Sequence, residues 1–142
     1  MKTIPLDLDG YTELPPGKIA NVFAVEGFTD EIAAAQRVDA VEFRLTRPSD
    51  PRAINAITRT AAAFKWDTRP SPNPRARQGN LLVGRGIAYM RYKQMENYVA
   101  MAMEVAVNAG TGQIQVRRVT CSHDCGLVVN PEALRRTIEG GM

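Results

Sequence analysis

The chain has 142 residues, 44% of them hydrophobic, with 18 Lys and Arg against 15 Asp and Glu, the composition of one domain with a core of its own. Its net charge of +3 is too small to argue for nucleic acid or an anionic membrane. No run approaches the roughly 18 apolar residues that span a bilayer, and Met1 to Pro5, followed by Asp7 and Asp9, lacks an apolar signal core, so the chain reads as soluble.

In chain order, Val25, Phe28, Ile32 and Ala35 fall on one face of a helix over Ile19 to Gln36, a stripe expected to lie on a core. Glu26 and Asp30 sit four apart on another face and read as a solvated acidic surface, because nothing in the sequence desolvates the pair. Ala40 to Leu45 predicts a short second helix that ends before Arg47-Pro48-Ser49-Asp50-Pro51. Pro51 then suits the first turn of a third helix, with Ile54, Ile57, Ala61 and Phe64 as its apolar stripe and an end near Trp66. Asp67 to Gln78, with Pro70, Pro72 and Pro74, is an exposed connection.

Beyond it the period changes. Val99, Met101, Met103, Val105 and Val107 alternate with Ala100, Ala102, Glu104, Ala106 and Asn108, as a half-buried strand does. Leu81 to Tyr92, entered through Gly84-Arg85-Gly86, is a preceding strand, and Ile114 to Val119 returns antiparallel after the turn Ala109-Gly110-Thr111-Gly112. Asn130-Pro131 reads as an N-cap and first helical residue opening a helix that stops at Gly140-Gly141. The expected class is α+β: one partial domain over 1–142, helical over 19–66, a Pro/Arg-rich connection over 67–80, and a β-meander with a terminal helix over 81–142. With Met142 following a helix barely made, the chain reads as a fragment or a truncated reading frame.

Cys121-Ser122-His123-Asp124-Cys125-Gly126 is the densest cluster of reactive residue types. A single ion could share 121, 123 and 125 on one strand face, yet a closed structural set needs a fourth ligand, and no other His or Cys exists to supply it. A Cys-His nucleophile lacks the third, orienting group. The favoured reading is a strand end, with Asp124 bonding amides beyond it and Gly126 in a conformation other residues avoid. Arg69, Arg75, Arg77, Arg85, Arg91 and Lys93, interleaved with Tyr89 and Tyr92, read as a solvated loop and sheet rim, and a nucleic-acid binder is the weakest functional reading.

Four motifs in order resemble the molybdopterin-binding large subunit of the xanthine dehydrogenase and aldehyde oxidase family. Pro16-Gly17 leading into Phe23-Ala24-Val25-Glu26 resembles its proline-glycine turn, and Asp39-Ala40-Val41-Glu42-Phe43-Arg44 its "DPxEFR" step. Gly84-Arg85-Gly86-Ile87-Ala88 resembles "GxGIA". Asp124-Cys125-Gly126-Leu127-Val128-Val129-Asn130-Pro131 with Ile138-Glu139-Gly140-Gly141 resembles "DCGxxxNP" and "QIEGG". Together they cover nearly everything from Leu14 onward.

The resemblance implies a molybdenum hydroxylase that oxidises a small-molecule aldehyde or N-heterocycle with water-derived oxygen. It implies a molybdopterin-type cofactor held only in a complete assembly, the remainder of the large subunit or a partner chain, and an iron-sulfur or haem electron-transfer subunit. The cofactor is polyanionic, so glycine turns and helix N-termini whose amides reach phosphates suit its site. On that basis Gly17, Thr137, Glu139, Gly140 and Gly141 are the expected cofactor-binding residues, with Asp124 and Gly126 shaping the turn. Thr137 stands where the family carries a cofactor-contacting glutamine, Ala40 where it carries proline, and the stretch Glu13 to Gly17 has no arginine. The family's upstream glycine-rich loops and its downstream catalytic glutamate have no counterpart here, so no catalytic residue and no protein metal ligand is assigned. A non-catalytic remnant, serving as an interaction or assembly module, is the reading from another class.

Overall fold

The computed structural model describes residues 15–92 and 97–142; the segment Met1 to Leu14 and Lys93, both read above, lie outside them. In chain order the elements are α1 (Pro15–Ala35), α2 (Ala40–Leu45), α3 (Pro51–Phe64), β1 (Arg77–Gln78), β2 (Leu81–Tyr92), β3 (Asn97–Asn108), β4 (Ile114–Asp124) and α4 (Pro131–Gly140). The strands form one antiparallel sheet in the order β1-β2-β3-β4. The architecture is α+β, helices first and a meander second, with a last helix after the sheet.

Each helix start follows from local chemistry. Asp39 caps α2 by accepting from the amides of Val41 and Glu42, Asp50 caps α3 through Arg52, and Asn130 caps α4 through Ala133, satisfying donors that a first turn leaves orphaned. Pro follows the cap in α3 and α4. At the hairpin between β3 and β4, Gly112 adopts φ +72, a left-handed conformation that costs glycine nothing. Asn108 steadies that turn by accepting from the amides of Gly110 and Thr111. β4 runs to Asp124 rather than ending near Val119, so the Cys121-Ser122-His123-Asp124 cluster is itself strand.

The core lies between α3 and one face of the sheet. Ile57 and Phe64 of α3 meet Ile87, Tyr98, Ala100 and Ala102, with Val41 of α2 joining them. Alternation along β3 leaves either face eligible for burial; the alanine face is the one covered, and Ala100 and Ala102 are fully buried. Small side chains let the helix backbone approach the sheet, and the Thr60 hydroxyl donates to the Ala100 carbonyl at 3.1 Å across that contact. By strand alternation Val99, Met101 and Met103 stand on the opposite face, half exposed.

Two expectations about helix faces are corrected. The α1 stripe does not lie on a core: Val25 and Phe28 are exposed, as is Phe23 at 81%. The side of α1 turned inward carries the carboxylates instead. Arg44, only 4% exposed, donates to Glu26 at 2.9 Å and to Asp30 at 2.7 Å. Glu26 also accepts from the Tyr89 amide at 2.9 Å, occupying an edge of β2 that the two-residue β1 leaves unpaired. Far from being a solvated face, the Glu26–Asp30 pair sets the rotation of α1, because a buried guanidinium demands partners more strongly than an apolar row demands cover. In α3, Ile57 and Phe64 are buried as the stripe predicts, but Ile54 is exposed and Ala53, Ala56 and Thr60 complete the inward face.

The "DPxEFR"-like step is a structural hub. Asp39, 2% exposed, accepts from the Trp66 indole at 2.9 Å and the Arg69 amide at 3.0 Å besides capping α2. Arg85 stacks on Trp66 at 3.9 Å and donates to the Asp67 carbonyl. The basic residues around the connection are thereby divided between local partners, and Arg69 is paired with Asp67.

Candidate functional site

The feature that organises the C-terminal half is the end of β4. Arg52, in the first turn of α3, grips Asp124 with both prongs of its guanidinium, Nε at 2.9 Å and Nη2 at 2.7 Å, the bidentate geometry that makes arginine–carboxylate pairs specific. Asp124 also accepts from the Gly126 amide at 3.0 Å. Gly126, at φ +79, turns the chain out of the strand, and Asn130 then caps α4.

Arg52 is itself held from behind. Its guanidinium lies over the Tyr98 ring at 4.3 Å, and the Tyr98 hydroxyl donates to Asp50 at 2.6 Å, which in turn accepts from the Arg52 amide. The Arg52 fork holds the Asp124 carboxyl well below the usual carboxylate range, and the Gly126 amide adds to the effect. The Tyr98 hydrogen bond lowers Asp50 likewise and raises the Tyr98 phenol. One cap residue, one aromatic and one arginine thus fix where the loop leading to α4 departs.

Asp124 and Gly126 stand in this elbow. His123 and Cys121 alternate onto the other face, where His123 Nε2 lies 3.1 Å from Asn97 Oδ1. The buried Nδ1 of that histidine has no hydrogen-bond partner among the described residues. Cys121 and Cys125 are free thiols, and burial pushes the Cys121 thiol up. Among the described residues no group of three His, Cys, Asp or Glu side chains could hold a metal ion.

Thr137, Glu139, Gly140 and Gly141 stand together on the last turn of α4, away from the elbow. A Cβ at Gly140 would meet nothing within 4 Å, so this end is open. The Thr137 hydroxyl donates to the Ala133 carbonyl at 2.9 Å, Glu139 faces Arg135 at 3.7 Å, and the Gly141 amide donates to Ile138 at 3.1 Å. Gly140 and Gly141 close the C-terminal end of α4, and such an end presents carbonyls and partial negative charge. Gly17 lies in the first turn of α1, and the structure brings none of the α4 residues to it.

Sequence reading missed Arg52 and Tyr98. The Asp50-Pro51-Arg52 start was visible, but pairing 72 residues ahead with Asp124 leaves no local signal.

Residues 89–142 match the molybdopterin cofactor-binding domain family, a segment that runs from the end of β2 through β3, β4 and α4. A nicotinate dehydrogenase subunit of Pseudomonas putida is 41% identical over 128 residues, covering 86% of this chain and 11% of that protein. The beta subunit of isoquinoline 1-oxidoreductase from Brevundimonas diminuta is 32% identical over 121 residues, 84% of this chain and 14% of the relative. The molybdenum-binding subunit PaoC of aldehyde oxidoreductase from Escherichia coli is 31% identical over 101 residues, 62% and 14% of the two chains. The chain spans about an eighth of the length of these relatives.

Proposed function

From a chain that belongs to the molybdopterin-binding hydroxylase family, we propose one part of a cofactor-binding large subunit, a single partial domain that works with further large-subunit polypeptide and an iron-sulfur or haem electron-transfer subunit. The proposed reaction is oxidation of a small aldehyde or N-heterocycle. The carrying observation is that the matched segment holds Asp124, which Arg52 of α3 grips from outside it, so that the segment and the helical layer are joined at the elbow. When bound, the molybdenum cofactor supplies two-electron oxygen-transfer chemistry.

The chain's own residues have positioning roles in this reading. Arg52 and Asp124 hold the elbow, Gly126 turns it, and α4 carries the contact residues out from it. Thr137, Glu139 and the terminal carbonyls at Gly140 and Gly141 are proposed to meet the hydrogen-donating edge of the pterin. Gly17, in the first turn of α1, is proposed for the phosphate side, since helix N-termini favour anions.

The test is molybdenum and pterin analysis of the purified chain, alone and co-expressed with the products of its flanking reading frames, with aldehyde-dependent dye reduction alongside. Molybdenum and activity that appear only with partners support the large-subunit reading. Their absence from both preparations overturns it in favour of a non-catalytic remnant or assembly module.

A further inference from the structure

The sheet has a second face that the helical layer does not use. Alternation and register put Met90 beside Val99, Ala88 beside Met101, Met101 beside Cys121, and Gly86 beside Met103 on that side. All of these are half exposed, and none is charged. α4 approaches only the β4 end, where Leu134 and Ile138 face Cys121 and His123 across a groove of about 550 Å³. α4 itself has no buried residue. The loop before it adds Val128 to the groove's lining and leaves Leu127 at 92% and Val129 at 91% exposure on either side of it.

The sheet face itself carries no charge and is rich in adaptable methionine, with Arg135 and Glu139 of α4 at the rim of the groove, the character of an interaction surface. An uncharged sheet face asks for an apolar layer, with ion pairs confined to that rim. The relatives supply a source for that layer, since at least 86% of their length lies outside the part this chain covers. We propose that the outer sheet face around Met101, with the Leu127–Val129 loop and the inner row of α4, is the seat of a further stretch of large-subunit polypeptide. That stretch would pack as a second apolar layer and bury Cys121. The inference rests on the large-subunit reading and specifies the surface it uses.

The experiment uses the full chain in a Cys125→Ser background, so that Cys121 reports alone, co-expressed with the large-subunit polypeptide encoded by the flanking reading frames. Three readouts are taken: co-purification, maleimide labelling rate at Cys121, and the mass of the chain alone by light scattering. The expected result is a complex in which labelling slows at least 10-fold. Met101→Lys, which places a charge on the open face, should cut co-purification at least 10-fold while the circular dichroism of the free chain stays unchanged. Ile114→Lys, at the far exposed end of β4, should leave the complex intact.

A complex that forms with Cys121 still labelled at the free rate, and that tolerates Met101→Lys, overturns the docking surface and leaves the large-subunit reading standing. No complex at all overturns both. A dimer of the chain alone that Met101→Lys dissociates assigns the face to a second copy and overturns the proposed occupant.

Discussion

Helices α3 and α4 begin alike and end differently. Each opens with an Asx cap followed by proline, and each separates apolar from polar residues along its length. Yet α3 buries Ala53, Ala56, Ile57, Thr60 and Phe64 against the alanine face of the sheet, whereas α4 buries nothing and leaves Leu134 and Ile138 half exposed at the edge of the Val/Met face. Identical local grammar makes both helices. What differs is whether the sheet face beneath is shaped to receive one: Ala100 and Ala102 let α3 come close, while the other face carries longer side chains.

That contrast can be pressed first by truncation. Phe64→Ala empties a core position and should cost about 3–5 kcal/mol, while Ile138→Ala should cost under about 1 kcal/mol, both read by urea denaturation. Equal losses would mean that α4 is packed as firmly as α3 and would end the comparison.

Next in size is the hub that seats α3 beside α2. Asp39→Ala removes the α2 cap and strands the Trp66 indole and the Arg69 amide, an expected loss of roughly 2–4 kcal/mol. A near-neutral result in thermal melts would show that the connection after α3 is held by other contacts.

The two faces can then be compared at adjacent residues of one strand. Ala100→Leu overpacks the face beneath α3 and should destabilise by about 1–3 kcal/mol. Met101→Leu, one residue on and pointing the other way, should fall within about 0.5 kcal/mol of the parent. A large effect at 101 in the free chain would show that the outer face is already covered.

The smallest effect concerns the elbow between the two regions. Asp124 has its folded-state pKa lowered by the Arg52 fork, so its contribution is full above its unfolded pKa of about 4. That contribution fades as pH falls below that value toward the folded pKa. Between pH 5 and pH 3 the parent should therefore lose stability more steeply than Asp124→Asn. Parallel acid limbs would show that solvent screens the pair completely.

Much of this was legible in the sequence because it is local. Asp39, Asp50 and Asn130 announce helix starts, Pro51 and Pro131 confirm two of them, and the switch from helical to alternating periodicity at β2 and β3 marks the change from helices to sheet. Motif order reached further, to the family. The rotation of α1 was not legible, because Glu26 turns inward only once Arg44 lies buried beside it, and Arg44 is 18 residues away.

By itself, then, the sequence determined the order of helices and main strands, where α2, α3 and α4 start, and which family their order belongs to, since capping, turn chemistry and periodicity act over a few residues. Only the tertiary structure decided which face of β3 is buried, that the acidic pair of α1 serves a buried arginine, and that Arg52 clamps Asp124. Those outcomes depend on which surfaces meet across long separations, where close helix approach favours alanine and a desolvated charge must find its partner.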